Sequence, residues 1–113
     1  MALQLESIQA VEMDGVAYTP TVTTEAMLKL RNAKLQTEVQ REEAIEAMAE
    51  CFPGHAVEVK NFLKKCAMPA LARLQCYLLM GDDGVKIVER RLEQSATVDA
   101  AEIEQTLKAE EQG

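Results

Sequence analysis

Residues 66–80 read Cys-Ala-Met-Pro-Ala-Leu-Ala-Arg-Leu-Gln-Cys-Tyr-Leu-Leu-Met, and Arg73 carries the only charge in the run. Pro69 suits the first turn of a helix, where its missing N–H has no partner to lose, and Gly81 suits a left-handed cap after the last turn. The spacing therefore predicts about three helical turns. Leu71, Leu74 and Leu78 recur at i, i+3, i+7, while Cys76, Tyr77, Leu79 and Met80 widen the apolar arc until only Arg73 and Gln75 read as solvated. A helix apolar over most of its circumference must be covered by several neighbours or by another chain.

The rest of the chain offers helices to cover it. Thr23 or Thr24 can cap a helix carrying Met27, Leu28 and Leu30 with Leu35 beyond, and Lys29, Arg31 and Lys34 read as its exposed side. Thr37-Glu38-Val39-Gln40 has the form of a capping box, which favours a break near Gln36 over one long helix across 24–52. The second helix has Ala44, Ile45, Met48 and Phe52 inward, with Arg41, Glu42, Glu43, Glu46 and Glu50 outward. After the Pro53-Gly54 stop, residues 56–66 form a short helix with Val59, Phe62, Leu63 and Cys66 inward. Gly81-Asp82-Asp83-Gly84 reads as a tight polar turn. Val85, Val88 and Leu92 then mark another helix. Asp99 can cap a last one that offers only Ile103 and Leu107, so 97–113 is expected as an acidic, frayed helix or tail.

Ahead of the helices, residues 3–19 read as a β-hairpin turning at Asp14-Gly15. A lone hairpin is marginal in water, so it must pack on the helices or pair its edge with another chain. The expected fold class is mainly α: a single domain, 1–113, forming a compact bundle of about five helices (core 24–95) with an N-terminal β-hairpin.

Charge and composition narrow the function. A net charge of −7 argues against nucleic-acid binding, which needs clustered Lys and Arg to neutralise phosphates. No run approaches the roughly 20 apolar residues of a membrane span, and the first residues lack the pattern of a secretion signal, so a cytoplasmic location is expected. Three cysteines fit reduced thiols better than a disulfide frame. Acidic ends flank a mildly basic middle of Lys60, Lys64, Lys65 and Arg73, a layout suited to self-association or a basic partner.

Chemistry-bearing constellations are scarce. Cys51 and His55 are four apart but separated by Pro53-Gly54, so a surface histidine and buried thiols read better than a metal site. The same pair is the one conceivable nucleophile and base, with no Asn or Asp nearby to orient the ring. Gly81–Gly84 lacks the alternating ligands of a calcium loop. Glu42, Glu43, Glu46 and Glu50 follow the solvent side of a helix rather than converging on a substrate. No enzyme activity, cofactor or metal is expected. Six methionines, among them Met27, Met48, Met68 and Met80, are compatible with an adaptable partner groove.

The order of elements resembles a known family. A hairpin with "MDGVAYTPTVTTEAMLKL", an acidic helix ending in "AIEAMAECFPGHAVEVKNFL" and a helix with "LARLQCYLLMGDD" resemble tail assembly chaperones of long-tailed bacteriophages, over roughly residues 11–95. The resemblance implies a non-enzymatic, often oligomeric protein of the host bacterial cytoplasm. Such a protein shields the tape measure protein, recruits tail tube subunits, or does both. With the apolar pattern, it makes Met27, Leu28, Met48, Phe52, Phe62 and Met80 the candidate client or self-association surface. The alternative is a small acidic inhibitor that blocks a basic, nucleic-acid-binding surface of another protein by charge mimicry.

Overall fold

The computed structural model describes residues 10–94 and 99–112. Thr21 donates its N–H to the Cys51 carbonyl at 2.7 Å, stitching the link after the hairpin to the end of the second helix. The hairpin consists of β1 (Val11–Met13) and β2 (Val16–Tyr18), antiparallel with Val11 opposite Tyr18 and Met13 opposite Val16. Asp14 and Gly15 both have positive φ, 51° and 78°, the mirror-image turn whose twist matches paired strands. The strands are shorter than the expected 3–19, and residues 3–9 of that range lie outside the described residues. The hairpin packs on the helices: Met13 is buried, and the Tyr18 ring meets Phe52 edge-on at 6.3 Å.

Six helices follow: α1 (Thr24–Asn32), α2 (Glu38–Ala49), α3 (Ala56–Leu63), α4 (Met68–Met80), α5 (Asp82–Gln94) and α6 (Ala100–Gln112). Thr23 caps α1 by accepting from the Ala26 N–H. The break before α2 is where the capping box places it. Thr37 Oγ1 accepts from the Gln40 N–H, and Gln40 Oε1 accepts in return from the Thr37 N–H, each at 3.1 Å. Arg41 seals the α1–α2 link by donating to the Leu35 and Gln36 carbonyls.

Along α2 the expected inward set, Ala44, Ile45, Met48 and Phe52, is buried, joined by Ala47, Ala49 and Cys51. Helix α3 buries Val59 and Leu63 and ends at Leu63, earlier than the expected 66. Pro69 lies in the first turn of α4, as expected.

Four expectations about the second half need correction. Gly81–Gly84 is not a turn: Gly81 alone joins α4 to α5, and Asp82, Asp83 and Gly84 make the first turn of α5, where acids face the positive end of the helix dipole. Gly81 has φ 73° and ψ −158°, outside the left-handed helical region and in one that only glycine readily enters. Gln75 is not solvated but buried, because its amide is the donor that closes the end of α1. Ile87, absent from the expected stripe, is buried with Val88, whereas Val85 and Leu92 are half-buried.

The last correction concerns α6, which is docked rather than frayed. It packs on α1, α4 and α5, with Ala100 and Ile103 buried and Leu107 half-buried. Asp99 caps it as expected, accepting from the Ala101 N–H at 2.9 Å. Arg31 and Lys34 accordingly do not line an outer face but reach across to α6.

The tightest helix pair is α4 with α5. Arg73 and Glu89 stand eight residues on either side of Gly81 and approach to 3.8 Å, so the two helices run antiparallel. Gly84 permits the approach: a Cβ there would lie 2.7 Å from Met80 Cβ and 2.9 Å from the Cys76 carbonyl oxygen.

Candidate interaction surface

The six side chains singled out in the sequence do not share one surface. Met48 and Phe52 are core residues with no surface to offer in this structure, a correction that follows from α2 being covered by α1, α3 and α4. Met27, Phe62 and Met80 are half-buried, each leaning on the core from a different helix. Leu28 alone stands out, at 51% exposure on α1.

Three exposed apolar residues escaped the sequence reading: Val16 at 51%, Val39 at 64% and Val57 at 69%. A signal existed for two. Val57 lies two residues before Val59, about 200° around a helix whose buried face is set by Val59 and Leu63. Val39 follows the Thr37 cap, in a first turn that precedes the apolar stripe beginning at Ala44. Val16 faces Met13 across the hairpin yet stays half exposed at the turn.

Around these residues most close charges are paired. Glu50 accepts from Lys29 Nζ at 3.1 Å and Glu46 from Lys60 Nζ at 3.0 Å, tying α2 to α1 and α3. The Lys60 hydrogen bond, and then its charge, hold the Glu46 carboxyl below the usual range; Glu50 likewise raises the Lys29 ammonium. An open cleft of about 320 Å³ between α1 and α2 is lined by Lys29, Asn32, Ala33, Glu43, Glu46, Ala47 and Glu50. Glu38, Glu42 and Glu43 are exposed and, among the described residues, in no ion pair.

The thiols are held away from chemistry at neutral pH. Burial pushes Cys51 up to about 11 and Cys76 up to about 12, helped by nearby carboxylates; Cys66, half-buried, is raised as well. Cys51 Sγ donates to the Ala47 carbonyl at 3.6 Å, inside the core. His55 is on the outside, its ring 5.1 Å from that of Tyr18 and its Nδ1 3.5 Å from Glu58. The fold thus gives the thiol and the imidazole different partners. Among the described residues no three His, Cys, Asp or Glu side chains are grouped for a metal ion, and no helix is long and apolar enough to cross a membrane.

Exposed valine and leucine side chains are available for apolar contact, and on α2 Val39 shares its helix with Glu38, Glu42 and Glu43, which are in no ion pair among the described residues. Comparison with protein-family models, curated proteins and solved structures gave no match.

Proposed function

We propose that the chain is a non-enzymatic tail assembly chaperone that binds and shields the tape measure protein, recruits tail tube subunits, or does both, and works as a homo-oligomer in the bacterial cytoplasm. The reading rests on the resemblance carried by residues 11–95. The observation that most supports it is the exposure of Leu28, Val39 and Val57 on α1, α2 and α3. An apolar helical client needs such contacts for affinity, and a net charge of −7 keeps a loaded complex soluble.

The experiment is co-expression with a tape measure protein. The wild-type chain keeps that client soluble and co-purifies with it. A Leu28→Asp, Val39→Asp, Val57→Asp variant, whose substitutions are all on exposed positions, folds normally and loses the client. Equal retention by both proteins, or no retention by either, overturns the reading.

A second reading, the acidic inhibitor, is favoured by Glu38 and Glu42. They share one face of α2 roughly 6 Å apart along the axis, with Glu43 beside them. It ranks lower because Glu46, Glu50, Asp99, Glu102, Glu104 and Glu110 already pair with the protein's own cations.

A further inference from the structure

Helices α2 and α3 lie side by side and antiparallel. Glu46 and Lys60, seven residues before and after Pro53, meet at 3.0 Å, and an open cleft of about 170 Å³ between the helices is lined by Glu42, Ile45, Glu46, Lys60 and Lys64. The outer faces of the two helices have opposite charge. On α2, Val39, Glu42 and Glu46 recur at i, i+3, i+7; on α3, with Lys64 as its helical C-cap, Val57, Lys60 and Lys64 do the same. Each face thus begins on an exposed valine and continues in charges of one sign. Much of that charge is unused within the chain: Glu38 and Glu42 on one side, Lys64 and Lys65 on the other, are exposed and, among the described residues, in no ion pair.

We propose that this two-sided patch is a self-association surface whose partner is a second copy of the chain, with α2 of each copy lying on α3 of the other. The patch is self-complementary. A two-fold axis in the plane of contact and parallel to the cleft exchanges left with right and keeps height along the helices. Glu46 of one copy then faces Lys60 of the other and Glu42 faces Lys64, and each contact occurs twice. The two Glu46–Lys60 pairs come together as four alternating charges. An axis running across the helices sets α2 on α2, acid against acid, so the same charges reject that arrangement. Exposed ion pairs are individually weak; they fix the orientation, and Val39 and Val57 add apolar contact on the same faces. The assignment deepens the homo-oligomer reading proposed above and rests on it. Because Val39 and Val57 are also client contacts in that reading, a client competes with the second copy for them.

The test is light scattering on the full-length protein without any client, at low ionic strength and over a range of concentrations. Wild type should approach twice the 12.5 kDa mass of one chain as concentration rises, and fall back towards the single-chain mass as salt is added. Two charge reversals at exposed positions, Glu42→Lys and Lys64→Glu, should each fold as wild type by circular dichroism and stay at the single-chain mass, because each sets like charges against each other twice. Their equimolar mixture, and the chain carrying both substitutions, restore opposite charges at both contacts and should return to the doubled mass. A wild type at the single-chain mass at every concentration overturns the proposal, as does an association that the single reversals leave intact or that the mixture fails to restore. With no client present, such a failure leaves the retention of a tape measure protein to be decided by the co-expression experiment.

Discussion

The side-chain amide of Gln75, in the middle of α4, donates to the backbone carbonyl of Leu30 across 2.6 Å and to that of Ala33 across 2.9 Å. These are carbonyls at the end of α1, which a helix leaves without intrahelical donors. A polar residue on the most apolar helix thus acts as the cap of a helix 42 to 45 residues earlier in the chain.

Gln75→Leu removes both donors while keeping the volume. The half-buried Ala33 carbonyl loses this donor and the buried Leu30 carbonyl keeps only the weaker Ala33 N–H at 3.3 Å, a loss of about 1–3 kcal/mol. A thermal melt should show Tm lower by roughly 5–10 °C. Gln75→Glu goes further, because a carboxylate facing two carbonyls cannot donate. Burial raises the pKa of that carboxyl above its unfolded value, so the protonated form is favoured in the folded state. Its stability relative to wild type should therefore recover on acidification. A Gln75→Glu protein with wild-type stability at neutral pH would contradict the capping role.

How much of this was legible in the chain depended on whether the information was local. The capping box at Thr37–Gln40, the Thr23 cap, the Asp14-Gly15 turn and the Pro69 helix start are all written within four residues, and all are present in the structure. Gln75 was misread because its partners lie in α1; no pattern within α4 distinguishes a buried amide with two acceptors from a solvated one. The docking of α6 was missed for the same reason. Two apolar residues look too few until Arg31, Lys34, Arg90 and Arg91 are brought to its acids. Met48 and Phe52 were legible as core and were also read as surface; the fold permits only the first.

Gly84→Ala should destabilise the protein although it lies in a helix, where alanine is ordinarily better by about 1 kcal/mol. The added Cβ meets Met80 Cβ and a backbone oxygen, neither of which is the free end of a flexible side chain. Overpacking of this kind costs about 1–3 kcal/mol, so after the helix-propensity gain the net loss is up to about 2 kcal/mol by urea denaturation. A gain in stability would mean that α4 and α5 separate easily.

Leu78→Asp should abolish folding, since a carboxylate at a fully buried position of α4 costs several kcal/mol in a domain whose total stability is about 5–15 kcal/mol. Leu74→Asp, at a half-buried position, should be milder. Circular dichroism and melting curves distinguish the two. A folded Leu78→Asp protein would refute the placement of α4.

The cysteines should react in the order of their burial. Cys66 alkylates first under native conditions, while Cys51 and Cys76, with thiols near 11 and 12, react only as the protein opens. Mass spectrometry of iodoacetamide-treated protein with and without urea reads this directly. Native modification of Cys76 ahead of Cys66 would contradict the core.

Acid should loosen the start of α6. The Lys34 hydrogen bond, with help from the backbone N–H groups of Ala101 and Glu102, holds the Asp99 carboxyl below its ordinary 3.8. A carboxyl depressed in the folded state contributes fully above its unfolded value and loses that contribution as pH falls through the folded one. Protection of the α6 amides, taken relative to the intrinsic exchange rate at each pH, should therefore be unchanged from pH 7 to about 5 and fall below about pH 4. Asp99→Asn should remove much of that pH dependence.

The most direct test of the functional account is the mass of the complex between this chain and a tape measure protein, followed by light scattering from low to 1 M salt. Contact through Leu28, Val39 and Val57 predicts a complex that persists at high salt and is lost in the triple aspartate variant. A complex that dissociates as salt rises, or that forms equally well with the triple variant, would contradict an apolar chaperone surface and transfer the weight to the acids of α2.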